Sequence, residues 1–151
     1  MNEFTIHLPL DSYVSNDFGQ FCVQLGDYYF PSKVWTDFGK RVVFSWSDLL
    51  TELLSGRSKI VHCKFMDGNY RLDVETANSN ETLNISFIKD AGHIDDVKYQ
   101  GNVNSEQFSS EILRVIKSIQ DECRKNKNYE AVNRIEASIE KFVEAKDIFT
   151  Q

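Results

Sequence analysis

The chain of 151 residues carries 23 acidic and 17 basic side chains, a net charge of −6, with 41% hydrophobic and 26% charged residues. These values exclude wholesale disorder and fibrous or low-complexity classes, and a single α+β domain of this length buries a core without staples. The acid excess lies mostly in residues 1–55, where seven acids meet three bases for a net −4. That disfavours nucleic acid as a partner, because phosphate neutralisation needs clustered Lys and Arg.

No basic, apolar leader opens the chain, and no stretch nears the roughly 18 consecutive apolar residues of a membrane span. Cys22, Cys63 and Cys123 are odd in number and far apart, which fits reduced thiols rather than a disulfide framework. The expectation is a cytoplasmic protein with no membrane partner.

Taken in order, residues 3–8 alternate as a strand that Pro9 ends, and a polar, turn-rich segment follows to Gly19. Gln20 to Leu25 reads as one half-buried strand, with Phe21, Val23 and Leu25 inward and Gln20, Cys22 and Gln24 on the other face. Gly26-Asp27 is a turn, and Tyr28 to Phe30 returns from it. Pro31 stops the pairing. Ser32 to Gly39 reads as an irregular loop anchored by Trp35 and Phe38.

Arg41 to Phe44 reads as a short strand, after which Ser45 caps a helix. Trp46, Leu49, Leu50, Leu53 and Leu54 form its stripe, and Gly56 ends it in the left-handed conformation. Lys59 to Met66, Asn69 to Thr76 and Thr82 to Lys89 alternate as strands, the first pair joined by a two-residue Asp67-Gly68 turn. Arg71, Asp73 and Glu75 point to water. A weaker strand covers Val97 to Val103, completing an antiparallel meander with one covered face.

The period then changes. Phe108, Ile112, Val115, Ile116, Ile119 and Cys123 make one helical stripe, and Val132, Ile135, Ile139, Phe142 and Val143 make another after an Asn128 cap. Residues 105–151 therefore predict a helical hairpin packed on the sheet, with residues 1–104 mainly β around the central helix.

Chemistry-bearing motifs are scarce. Asp-Phe-Gly occurs at Asp17 and at Asp37, but without the phosphate loop, strand lysine and catalytic Asp that give it meaning in a kinase. His7, His62 and His93 lack a second ligand at metal spacing. His62 and Cys63 are neighbours on a strand and point to opposite faces, so Cys63 reads as core. Neither an enzyme, a cofactor nor a metal is expected. The loop aromatics Tyr28, Tyr29, Trp35 and Phe38, beside Asp27 and Asp37, are the candidate partner-binding surface, since aromatic anchors carry binding energy at interfaces.

Phe30-Pro31-x-x-x-Trp35-Thr36-Asp37-Phe38, then an apolar stretch and a helix, then Lys64-Phe65-Met66-Asp67-Gly68-x-Tyr70, resembles a group of small, mostly uncharacterised bacterial proteins. Some of these look like immunity proteins encoded beside polymorphic toxins. The resemblance spans residues 20–90, with Asn69 standing where Gly or Pro is usual. It implies a single-domain α+β binding protein and transfers no catalytic residue. The first expectation is thus an immunity-type inhibitor of a cognate toxin or another basic protein. Its alternatives are a self-associating assembly protein, a homodimer through the sheet edge or the hairpin, and a small-molecule module or cryptic enzyme with a cavity between sheet and helices. Replacing Trp35 and Asp37 together is expected to weaken partner binding and leave the fold cooperative.

Overall fold

The computed structural model describes residues 1–13 and 18–151. The first Asp-Phe-Gly triplet begins at Asp17, outside the described residues. Strands β1 (Phe4–His7), β3 (Cys22–Leu25) and β4 (Tyr28–Phe30) form one antiparallel sheet in the order β1-β3-β4. Strands β2 (Gly19–Gln20) and β5 (Thr36–Asp37) pair as a small ladder. β6 (Ile60–Lys64), β7 (Tyr70–Thr76), β8 (Thr82–Asp90) and β9 (Asp95–Asn104) form the meander, and the helices are α1 (Gly39–Leu54), α2 (Ser105–Lys125) and α3 (Tyr129–Phe149). The chain is an α+β protein.

The meander follows its alternation. Val61, Cys63, Phe65, Leu72, Val74, Leu83, Ile85 and Phe87 are all buried on one face. Cys63 pairs with Leu72, Leu72 with Phe87 and Phe87 with Tyr99. A register shift after Phe87 makes Lys98 the extra residue of β9. The β6–β7 connection is longer than a two-residue turn: the Phe65 N–H still donates to the Tyr70 carbonyl, so Met66 to Asn69 form the loop, with Gly68 at φ +73°. On the outer face Arg71 and Asp73 are mostly shielded rather than bathed in water. Asp73 accepts from His62 Nδ1 (2.6 Å) and Arg71 Nε (2.9 Å), and Arg71 also reaches Asp95 (2.8 Å).

Elsewhere the structure departs from the local sequence pattern. Residues 41–44 belong to α1, not to a strand, and Ser45 lies inside the helix, with Phe38 at its N-cap. Val42 and Val43 extend the buried stripe of Trp46, Leu50, Leu53 and Leu54 with helical spacing. Burial on that face outweighs the modest β preference of two valines. Gln20 to Leu25 is split at Phe21, whose N–H donates to the Trp35 carbonyl while Gln20 pairs with Thr36. Cys22, assigned to the outer face, is buried beside Phe21. Gly56 does end α1 at φ +84°.

The helices pack in two steps. α1 lies along β6, and α2 contacts β1 and β9, while α3 covers α1 and α2. The hairpin thus reaches the sheets mainly through α2. Asn104 and Asn128 cap α2 and α3, their side chains accepting from the Gln107 and Ala131 N–H groups. A Lys40–Glu122 ion pair ties α1 to α2.

β1 is an edge strand whose outer edge α2 covers with side chains rather than backbone. Gln107 accepts from the Phe4 N–H (2.8 Å) and donates to the Phe4 carbonyl (2.7 Å). Glu111 accepts from the Ile6 N–H (2.6 Å), and Arg114 donates to the Ile6 carbonyl (3.0 Å). The i, i+4, i+7 spacing of these three residues places them on one helix face, matching the two-residue repeat of the strand. Burial alone would raise the Glu111 carboxyl, but the Arg114 guanidinium and the Ile6 N–H overcome it and hold the group below its ordinary value of 4.5. A carboxyl depressed in the folded state stabilises the fold above its unfolded pKa and loses that contribution as pH falls through the folded value. Stability should therefore drop below about pH 4.5 more steeply in the native protein than in Glu111→Gln, as read by urea unfolding at stepped pH. Parallel curves would remove Glu111 from the acid transition.

Candidate functional site

The segments 30–38 and 64–70 meet in space. Asp37 is fully buried, and its carboxylate accepts from Trp35 Nε1 (3.2 Å), the Phe38 N–H (2.7 Å) and the Asp67 N–H (3.1 and 3.2 Å). The Trp35 ring stands edge-on to Tyr70 at 5.1 Å. It also lies against Gly68, where an added Cβ would sit 3.1 Å from it. Glycine is needed there twice over, for the positive φ and for the close approach. Behind this joint Phe30 stacks on Phe87 at 4.8 Å and meets Phe65 and Tyr70 edge-on.

The joint fixes the 31–38 loop to the 66–69 loop. A third loop, 91–94, is tied on by the Asp90 N–H donating to the Asn69 carbonyl (2.7 Å) and closed by the Ala91 N–H donating to the Ile94 carbonyl (3.2 Å). Each of the three loops exposes one large apolar side chain: Val34 at 81%, Met66 at 56% and Ile94 at 74%. Exposed single apolar residues are ordinary. Three on adjoining, internally bonded loops make this the candidate site. Its surroundings are acidic: exposed Asp67, and Asp95, whose carboxyl Arg71 holds below its usual range by hydrogen bonding.

The residues singled out from the sequence do not form one patch. Tyr28 and Tyr29, adjacent on β4, point to opposite faces. Tyr28 stacks on Tyr99 at 4.7 Å, whereas Tyr29 stacks on His7 at 5.5 Å with Lys33 Nζ 4.7 Å from its centre. Asp27 is exposed in the β3–β4 turn, at the other end of β4 from Trp35. Phe38 packs edge-on against Phe18 and under Arg41. Asp37, read as part of an acidic rim, presents no surface at all, so the Trp35 and Asp37 double substitution would unmake the joint rather than test binding. Of these residues Trp35 and Asp37 build the joint beneath the three loops. Val34, Met66 and Ile94 carry a faint sequence signal, an apolar side chain set among turn residues, which becomes legible once the loops are known to converge.

The His62–Cys63 neighbours diverge as strand geometry requires. His62 is exposed on Asp73, while Cys63 is buried and its thiol is pushed up by that burial and by Asp73. Among the described residues no group of three His, Cys, Asp or Glu side chains is placed to hold a metal ion, and no helix is long and apolar enough to cross a membrane. The fold and site together define an α+β scaffold that presents three braced loop tips from one end of a sheet. No family model, curated protein or solved structure matches this chain.

Proposed function

We propose that this is a non-enzymatic protein-binding domain acting in the cytoplasm, and that it works as an immunity-type inhibitor of a bacterial toxin. The observation that carries the binding reading is the trio Val34, Met66 and Ile94, exposed on loops that the buried Asp37 carboxylate and the Asp90–Asn69 bond hold in place. Braced apolar tips lose little conformational freedom on docking, so more of their burial is expressed as affinity. The net charge of −6 favours a basic partner. The toxin assignment rests on the resemblance of residues 20–90 to a group of small bacterial proteins, some of which look like immunity proteins.

The test compares tagged native protein with Val34→Ser/Met66→Ser/Ile94→Ser in capture from a lysate of the source organism. These side chains are exposed, so the triple variant should stay folded and lose at least roughly tenfold in affinity for the captured partner. The partner, expressed alone, should arrest growth, and co-expression of the native protein should relieve the arrest. Equal retention by the triple variant would move the interface elsewhere. A retained partner without toxicity would end the immunity reading.

A further inference from the structure

A second site lies beside the edge strand β1. Between β1, the start of β3 and α2 the surface opens into a cleft of about 480 Å³. Its apolar lining includes Leu8 and Pro9, and its basic side chains are His7, Lys33 and Arg114. Among the described residues no Asp or Glu lines it, in a chain whose acids outnumber its bases. The volume suits a small metabolite.

The three basic groups are held in place without being used up. Tyr29 stacks on the His7 ring and carries Lys33 Nζ over its own ring, and His7 Nε2 is fixed 2.8 Å from Gln24 Oε1. The Lys33 ammonium has that ring contact and no carboxylate or carbonyl partner among the described residues. Arg114 directs Nε and one terminal nitrogen at Glu111 and the Ile6 carbonyl, which leaves Nη1 with two N–H donors and no partner among the described residues. Glu111 offsets the Arg114 charge, so Lys33 supplies the net positive charge of the cleft. A guanidinium nitrogen and an ammonium in one concave site are donors for an oxyanion, and hydrogen bonds to ionised groups are the strong ones.

We propose that this cleft binds a small ligand bearing a phosphate or carboxylate group, seated on Lys33 and Arg114 with its body against Leu8 and Pro9. Tyr29 is then a positioning residue for the cations rather than a protein contact. None of Val34, Met66 and Ile94 lines this cleft, so the proposal stands or falls without them.

The probes are inorganic phosphate and succinate, each titrated at constant ionic strength against a chloride control and followed by amide shifts in an NMR spectrum. Saturable shifts at Thr5, His7, Val115 and Ser118 with either anion are expected, and the tighter of the two identifies the group. Lys33→Ala, at an exposed position, should keep the native spectrum and weaken binding roughly tenfold, the worth of one charge-assisted hydrogen bond. Arg114→Lys should weaken it too, through loss of the forked donors. No saturable shift with either anion would overturn the proposal, as would binding that Lys33→Ala leaves unchanged.

Discussion

Trp46→Ala is expected to lose about 4 kcal/mol of folding stability, the middle of the range for emptying a buried aromatic site. Trp46 is 1% exposed and joins α1 to β6 in two ways. Its ring meets Phe65 edge-on at 5.2 Å and Phe21 at 5.6 Å, and its Nε1 donates to the Lys64 carbonyl at 2.7 Å. Lys64 ends β6, so the bond also satisfies a carbonyl at the sheet's edge. Trp46→Phe separates the two contributions: it keeps most of the packing, leaves that carbonyl unpaired and should cost about 1–2 kcal/mol. Urea unfolding of both variants measures this. An alanine variant within about 1 kcal/mol of the native protein would mean that α1 and β6 are held together by something else.

Asp37→Ala is expected to cost about 3 kcal/mol, because three N–H donors lose a charged acceptor inside the protein. For a chain of this size that lowers the melting temperature by roughly 9 °C. Asp37→Asn keeps the shape but turns an acceptor into a donor facing other donors, so it should recover only part of the loss. The control is Asp67→Ala. Asp67 contributes its backbone N–H to the joint and exposes its side chain, so this substitution should stay within about 0.5 kcal/mol. If Asp37→Ala proved as mild as Asp67→Ala, the joint would not be what braces the loops, and the three-tip surface would lose its physical basis.

Asp37 also shows why sequence motifs are poor guides to surfaces. The Trp-Thr-Asp-Phe and Met-Asp-Gly segments stand out because of their aromatic, acidic and glycine residues, a composition that reads equally as a binding rim or as a packed turn. Deciding between them requires knowing that the two segments, 30 residues apart, are neighbours and that the Asp67 N–H donates to the Asp37 carboxylate. A carboxylate in the chain says nothing about its own burial. Tyr29 makes the same point differently, since its aromatic face is engaged by His7 and Lys33 rather than offered to a partner.

The sequence by itself determined the elements whose periodicity runs long enough to be unambiguous: the four strands of the meander, both C-terminal helices with the Asn128 cap of the second, and the glycine that closes α1. In these a side chain's direction follows from its position in the repeat, and burial on one face selects the pattern. Where the pattern was short, context decided. Val42 and Val43 are helical because α1 had a core to cover, Gln20 to Leu25 breaks because Phe21 found a partner in Trp35, and β1 is closed by Gln107, Glu111 and Arg114 from a helix a hundred residues away. Both proposed sites belong to this second kind. The loop tips and the basic cleft are assembled from residues that no local repeat connects, and only packing over long chain separations brings them together.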